Sequence, residues 1–199
     1  MFLELLIGPM FSGKSSLLQA RLRRYQTLKW NTLVLTSSLD KRYVSQNEDN
    51  AAVVTHDGQS VPATAVLELL PVLKSKLYKK SQAILLEEAQ FFDDLLEFVL
   101  HAVEIDGKDV VVVGLDGDRN RCNFGRVLDL IPYADCLTKL TALCSRCCDG
   151  TPGLFSCLVV DDSSDREYGQ IRVGGSDSYE PMCRRHYLEQ RRKLDPVVA

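Results

Sequence analysis

The sequence lacks any apolar run of the length a membrane span requires. A spanning helix needs about 20 predominantly apolar residues, and segments such as Phe2–Ile7 and Val110–Val113 stop far short. It also lacks an excess of positive charge. Its 24 Lys and Arg stand against 27 Asp and Glu, a net charge of −3, which speaks against broad electrostatic binding of nucleic acid. No basic segment precedes the apolar start, which ends at Gly8, so no secretory leader is expected. Internal repeats and low-complexity stretches are missing as well. The expectation is a cytoplasmic globular protein with one domain of about 150 residues and an appendage, or two small domains. Seven cysteines are present. An odd number cannot form a complete disulfide framework, and clustered cysteines in a reducing compartment point to a metal.

Short apolar runs alternate with helical patterns. Phe2–Ile7, Asn31–Thr36, Ala83–Leu86, Asp109–Leu115 and Leu137–Leu143 are expected to be strands. Lys14 to about Lys29 has helical spacing at Leu17, Leu18, Leu22 and Tyr25. Further helices are expected over 65–80, broken at Pro71, and over 91–106, with a short one over 124–131. Residues 40–62 are polar, with a turn at Asp57-Gly58, and suit a long loop or hairpin. This alternation predicts an α/β fold with a parallel sheet built from right-handed crossovers. After Leu143 the chain becomes rich in Cys, Gly and Pro. The expected organisation is therefore an α/β domain over 1–143, a metal-anchored module over 144–190, and a disordered tail over 191–199.

Gly8-Pro9-Met10-Phe11-Ser12-Gly13-Lys14-Ser15 follows a strand and opens a helix. Glycines at these positions let backbone N–H groups turn in on a phosphate chain, and the helix N-terminus adds its dipole. Lys14 would reach the terminal phosphates of a nucleotide, and the Ser15 hydroxyl would sit on Mg²⁺. Glu87 and Glu88 end the third strand, at the sheet edge where ligands of such folds bind. Glu87 suits the magnesium shell, and Glu88 suits a base on an attacking hydroxyl.

Cys144 and Cys147 form one close pair and Cys183 and His186 another. Three thiolates and an imidazole are a tetrahedral zinc set, and with every position filled by protein the role is structural. Such a site contributes on the order of 10 kcal/mol of local folding energy, enough to close the excursion over 148–182. Cys148 competes as a ligand but has poorer spacing, and Cys122, Cys136 and Cys157 read as ordinary thiols.

These pieces occur together with Asp40-Lys41-Arg42-Tyr43, Thr55-His56-Asp57, Glu88-Ala89-Gln90-Phe91-Phe92, Gly114-Leu115-Asp116-Gly117, Leu137–Thr141 and Gly174-Gly175-Ser176-Asp177-Ser178-Tyr179. In that order, over residues 2 to about 188, the chain resembles the type II, cytosolic-type thymidine kinases. The resemblance implies a RecA-like P-loop domain and a zinc-anchored lasso closing over the nucleoside. It implies transfer of the γ-phosphoryl of ATP to the 5′-hydroxyl of thymidine, with Mg²⁺, in a homotetramer. Glu88 would be the catalytic base. Residues 8–15 would bind ATP, with Asp40 and Arg42 near the sugar and phosphates. Met10, Phe91, Leu115, Phe124, Ser156 and Tyr179 would line the nucleoside site.

Two positions depart from the family pattern. Glu87 stands where Asp is usual, and Arg119 stands where an aromatic residue lines the thymine pocket. A guanidinium can stack on a base through its plane, but burying one without a partner is costly. Arg119 is therefore expected to swing out to solvent and loosen the pocket. The departures motivate two alternatives, a kinase with altered nucleoside preference and a catalytically impaired nucleotide-binding subunit. A nucleic-acid-binding ATPase using the Cys/His pairs as a ribbon fits less well. Between 148 and 182, Asp149, Asp161, Asp162, Asp165, Glu167, Asp177 and Glu180 outnumber Arg166 and Arg172.

Overall fold

The computed structural model describes residues 1–39, 51–54, 60–159 and 178–194. Strands β1 (Phe2–Ile7), β2 (Thr32–Ser37), β3 (Ala51–Val54), β4 (Ser60–Val66), β5 (Ala83–Leu86), β6 (Asp109–Gly114) and β7 (Cys136–Lys139) form one sheet. Its order is β3-β4-β2-β5-β6-β1-β7, with every neighbouring pair parallel except β3 and β4. The hairpin expected within 40–62 is thus present as the antiparallel β3–β4 pair, while its turn at Asp57-Gly58 lies outside the described residues. One strand, β6, separates β1 from the acid-bearing β5. This is the RecA-like arrangement of a P-loop sheet.

Alternation along the strands explains the two-sided core. Leu3, Leu5, Ile7, Leu33, Leu35, Ile84, Leu86, Val110 and Val112 face one side. They pack there against Tyr78 on α2 (Lys76–Lys80) and against Leu95, Phe98 and Val99 on α3 (Leu95–Leu100). Leu6, Val34, Leu85, Val111 and Val113 face the other side and meet Leu18 and Leu22 of α1 (Lys14–Thr27). Glu4 falls on that second face and is buried. The guanidinium of Arg21, one helix turn beyond Leu18, donates two hydrogen bonds to it, both 2.7 Å. A carboxylate in an apolar layer is retained because a bidentate partner answers both oxygens.

Three expected elements end differently. The helix over 91–106 is delayed to Leu95 because a tight turn at Ala89–Phe91 comes first, and it closes in a wide π turn at His101–Ile105. The 65–80 segment yields Val66 and its neighbours to β4, and resumes as a 3-10 turn (Leu70–Lys74) before α2. The strand over Leu137–Leu143 splits into β7 and β8 (Ala142–Leu143). The chain must cross the loop after β1 there: the Leu140 N–H bonds to the Ile7 carbonyl at 2.8 Å, and its own carbonyl lies over Gly8.

Beyond β8, two small antiparallel pairs form, β8 with β9 (Pro152–Gly153) and β10 (Phe155–Leu158) with β11 (Tyr179–Met182). Helix α4 (Arg184–Leu194) follows. Residues 191–194 are therefore helical rather than a disordered tail. Basic Arg191, Arg192 and Lys193 in the last turn complement the helix dipole, and the Arg191 guanidinium donates to the Asn120 side-chain oxygen. Among the described residues no helix is long and apolar enough to cross a membrane.

Gly125 marks the tightest crossing beside the sheet edge. Its φ is +57°, and a Cβ there would stand 2.2 Å from the Gln90 carbonyl oxygen. Both backbones are held, so neither can yield. Gly125→Ala is expected to lower unfolding stability by about 2 to 3 kcal/mol, read from the denaturation midpoint at unchanged m-value.

Candidate functional site

The strand register brings three chain reversals to one edge. Ile7 lies beside Gly114, and Leu86 lies beside Val112. The loop after β1, the acids after β5 and the loop after β6 therefore emerge together, where open α/β sheets bind ligands.

The loop at 8–15 is shaped by backbone constraints. A Cβ on Gly8 would lie 2.5 Å from the Leu140 carbonyl oxygen, and Gly13 enters α1 at φ +81°. Phe11 also takes a left-handed conformation, φ +64°. The Pro9 carbonyl accepts from Lys14 Nζ at 2.7 Å and from Ser12 Oγ at 2.8 Å. The loop thus holds its lysine charge at its own mouth, beside the positive end of α1.

Ser15, in the first turn of α1, donates its hydroxyl to Glu87 Oε1 at 2.5 Å. Glu87 is buried. A hydroxyl and a carboxylate brought together beside a phosphate-type loop are hard oxygen donors of the kind Mg²⁺ takes. The residues present fit that ion, and the extra methylene of Glu87 does not keep its carboxylate from Ser15.

Glu88 turns the chain at φ +54°. Gln90, which is buried, donates from Nε2 to Glu88 Oε2 at 2.5 Å and accepts at Oε1 from the Leu115 N–H at 3.1 Å. Phe91 and Phe124 meet edge to face, with ring centroids 5.6 Å apart at 86°. The Met10 N–H donates to Ser156 Oγ at 2.9 Å, tying β10 to the phosphate-type loop. Tyr179 is buried on β11, opposite Leu158 of β10. Met10, Ser156, Phe91, Phe124, Leu115 and Glu88 thus surround the C-terminal edge of the sheet. Asp40 and Arg42 lie outside the described residues.

Arg119 does not swing out to solvent. It is half-buried, with Nη1 enclosed, and its carbonyl accepts from the Tyr187 hydroxyl at 2.7 Å. The reason is the rigidity of its loop. Asp118 Oδ1 accepts from the backbone of Asn120 at 2.8 Å and of Cys122 at 2.9 Å. Arg121 lies against the rings of Tyr187 at 4.7 Å and Phe155 at 5.4 Å. Sequence reasoning missed Gln90, Asp118, Arg121 and Tyr187. Only Asp118 had a local signal, an Asx-type turn residue two before Asn120; Arg121 and Tyr187 act through long-range contacts, and Gln90 joins its near neighbour Glu88 to the remote Leu115.

Cys144, Cys147, Cys183 and His186 converge as expected, and their ligand atoms all lie within 4.8 Å of one another. His186 Nδ1 is 3.5, 3.4 and 3.5 Å from the sulfurs of Cys144, Cys147 and Cys183, and the last two sulfurs are 3.8 Å apart. Ideal zinc bond lengths at tetrahedral angles give edges of about 3.6 Å for S···N and about 3.8 Å for S···S. The cluster could therefore hold a zinc ion. Burial pushes the Cys144 thiol up, but hydrogen bonds from the Cys183 backbone and the His186 ring outweigh it and bring it down to about 6. Burial and the neighbouring Cys144 and Cys183 sulfurs push Cys147 up. Crowded sulfurs resist ionising together, and a divalent cation removes that resistance. Cys148 is not one of the four clustered residues, and its exposed thiol donates to the Ser145 carbonyl at 3.1 Å. Burial pushes the Cys157 thiol up to about 11, where it stays protonated.

A family model described as "Thymidine kinase" matches residues 1–187. A thymidine kinase of Oryza sativa subsp. japonica is 43% identical over 194 residues, covering 94% of this chain and 66% of that protein. Thymidine kinase a of Arabidopsis thaliana is 40% identical over 188 residues, covering 93% of this chain and 74% of the relative. A thymidine kinase of Yaba monkey tumor virus is 36% identical over 188 residues, covering 94% and 95%.

The cluster geometry sets a stoichiometry. Metal analysis of the purified protein is expected to find one zinc per chain, and Cys183→Ser should weaken zinc retention against a chelator by roughly 100-fold or more.

Proposed function

The chain belongs to the thymidine kinase family, and we propose that it transfers the γ-phosphoryl of ATP to the 5′-hydroxyl of thymidine, giving dTMP, with Glu88 as the base on that hydroxyl. The observation that carries this reading is the junction at the sheet edge. The Ser15 hydroxyl reaches Glu87 at 2.5 Å, so the phosphate-type loop and the Glu87-Glu88 turn share one site.

Phosphoryl transfer asks a protein mainly for positioning and charge neutralisation. Backbone N–H groups of the 8–15 loop, apart from Pro9, which has none, and Met10, whose N–H goes to Ser156, cradle the ATP phosphates with the Lys14 ammonium, with Asp40 and Arg42 assigned nearby by family resemblance. Ser15 and Glu87 would hold Mg²⁺, which when bound neutralises phosphate charge. Glu88 orients the acceptor hydroxyl and takes its proton as the phosphoryl group arrives. Phe91 and Phe124 offer ring surfaces to the thymine, with Met10, Leu115, Arg119, Ser156 and Tyr179 around it. Water at the γ-phosphate would hydrolyse ATP, so the site must be covered during reaction. The Cys144, Cys147, Cys183 and His186 set, loaded with zinc, would close the base of the covering segment, and Ser156 seats its β10 strand on the phosphate loop. The family resemblance further implies a cytoplasmic homotetramer.

Glu88→Gln is expected to lower kcat for dTMP formation by about 10³-fold while the KM for ATP stays within about twofold. Arg119→Phe restores an apolar wall and is expected to lower the KM for thymidine by roughly 3- to 10-fold, read from steady-state kinetics at saturating ATP. An unchanged thymidine KM would remove position 119 from base recognition.

A further inference from the structure

We propose that Gln90 is a positioning residue for the phosphoryl transfer, its amide fixing the Glu88 carboxylate relative to residue 115 and the nucleoside site. This rests on the reading of Glu88 as the base. The orientation of the amide is forced. The Leu115 N–H is a donor only, so it must face Oε1, and Nε2 is then turned to Glu88. The two contacts measure 3.1 Å and 2.5 Å. One rigid plane thereby joins the turn after β5 to the end of β6.

Three features hold that plane still. Gln90 is 3% exposed. Gly125 crosses so close that a Cβ would stand 2.2 Å from the Gln90 carbonyl oxygen. At Gly114 a Cβ would meet the Gln90 Oε1 at 3.2 Å and Val127 at 2.9 Å, so residue 114 leaves room for the amide only as glycine. Glu88 itself is half-buried on that turn, and a long carboxylate side chain without a fixed partner spreads over several rotamers. Held at Oε2, it keeps one rotamer, and the direction of its carboxylate is set before substrate arrives. Preorganisation of this kind acts on the chemical step rather than on nucleotide binding. The same amide holds the backbone of Leu115, a residue assigned to the thymine pocket. Gln90 thus sets the spacing between the carboxylate and the base of the nucleoside.

The side chain has no equivalent among its neighbours in size. Asn is one methylene shorter and cannot span both contacts. An ionised Glu could accept from Leu115 but offers Glu88 no hydrogen and sets a like charge against it. Met fills the slot and makes neither bond.

The test is steady-state kinetics with ATP, Mg²⁺ and thymidine on Gln90→Met, Gln90→Glu, Glu88→Gln and the double variant Glu88→Gln with Gln90→Met. Both Gln90 variants are expected to lose 10- to 100-fold in kcat, with the ATP KM within about twofold and a melting temperature close to that of the parent. Gln90→Glu, nearly the same shape, keeps the experiment decisive if the Met variant fails to fold. In the double variant, Gln90→Met is expected to cost no further activity, because the carboxylate it serves is gone. A kcat within twofold of the parent for Gln90→Glu overturns the inference. So does a full additional loss in the double variant, which would mean a general structural role. If Glu88→Gln retains the parental kcat, the base reading fails, and this inference with it; if only Glu88→Gln loses activity, the base reading stands and Gln90 does not position it.

Discussion

The Ser15 hydroxyl and the Glu87 carboxylate meet at 2.5 Å across 72 positions of sequence, and the site depends on that junction. Glu87 is buried at the end of β5, where an ionised group needs a donor or a cation. Meeting Ser15 requires α1 to begin directly over the sheet edge. That in turn requires Gly8 to pass under the Leu140 carbonyl and Gly13 to enter the helix from the left-handed region. It also requires β1 and β5 to be parallel, with one strand between them. The alternation of apolar residues on two faces makes such a sheet stable, since each strand is covered on both sides.

A second constraint joins the metal cluster to the rest of the chain. Cys183 and His186 sit at the β11–α4 junction, and the next residue, Tyr187, donates to the Arg119 carbonyl. Arg121 of the same loop lies on the Tyr187 and Phe155 rings. A cation that orders the two Cys/His pairs would therefore also steady the loop carrying Arg119 and Phe124. β10, between the pairs, supplies Ser156 to the backbone of Met10. The module beyond Leu143 touches both the phosphate-type loop and the loop after β6, which is how a segment poor in apolar residues can be placed with accuracy.

The α/β class, the Gly8–Ser15 loop between a strand and a helix, the acids after β5 and the two close pairs Cys144/Cys147 and Cys183/His186 were legible in the chain because each is a local pattern. A strand followed by Gly8–Ser15 and a helix is readable within one window, and so is a close pair of ligands. The misplaced elements failed for tertiary reasons. Leu137–Leu143 has strand composition throughout, yet the crossing over Gly8 divides it. Arg191 to Leu194 looks like a charged tail, yet Asn120 holds Arg191 from another loop. Arg119 looks costly to bury, yet the loop that carries it is pinned by Asp118 and Tyr187.

Local chemistry is written in the order of residues. The strand periods, the glycines that a phosphate loop needs, the ligand types for a tetrahedral cation and the family to which the chain belongs all follow from neighbours along the backbone. Distance between remote residues is not written there. That Gln90 spans Glu88 and Leu115, that Glu87 reaches Ser15 and that Tyr187 seats on Arg119 were decided only when parallel strands brought their ends to one edge. Hydrogen bonds act over about 3 Å, and nothing in a linear pattern says which donors and acceptors packing will carry to that range.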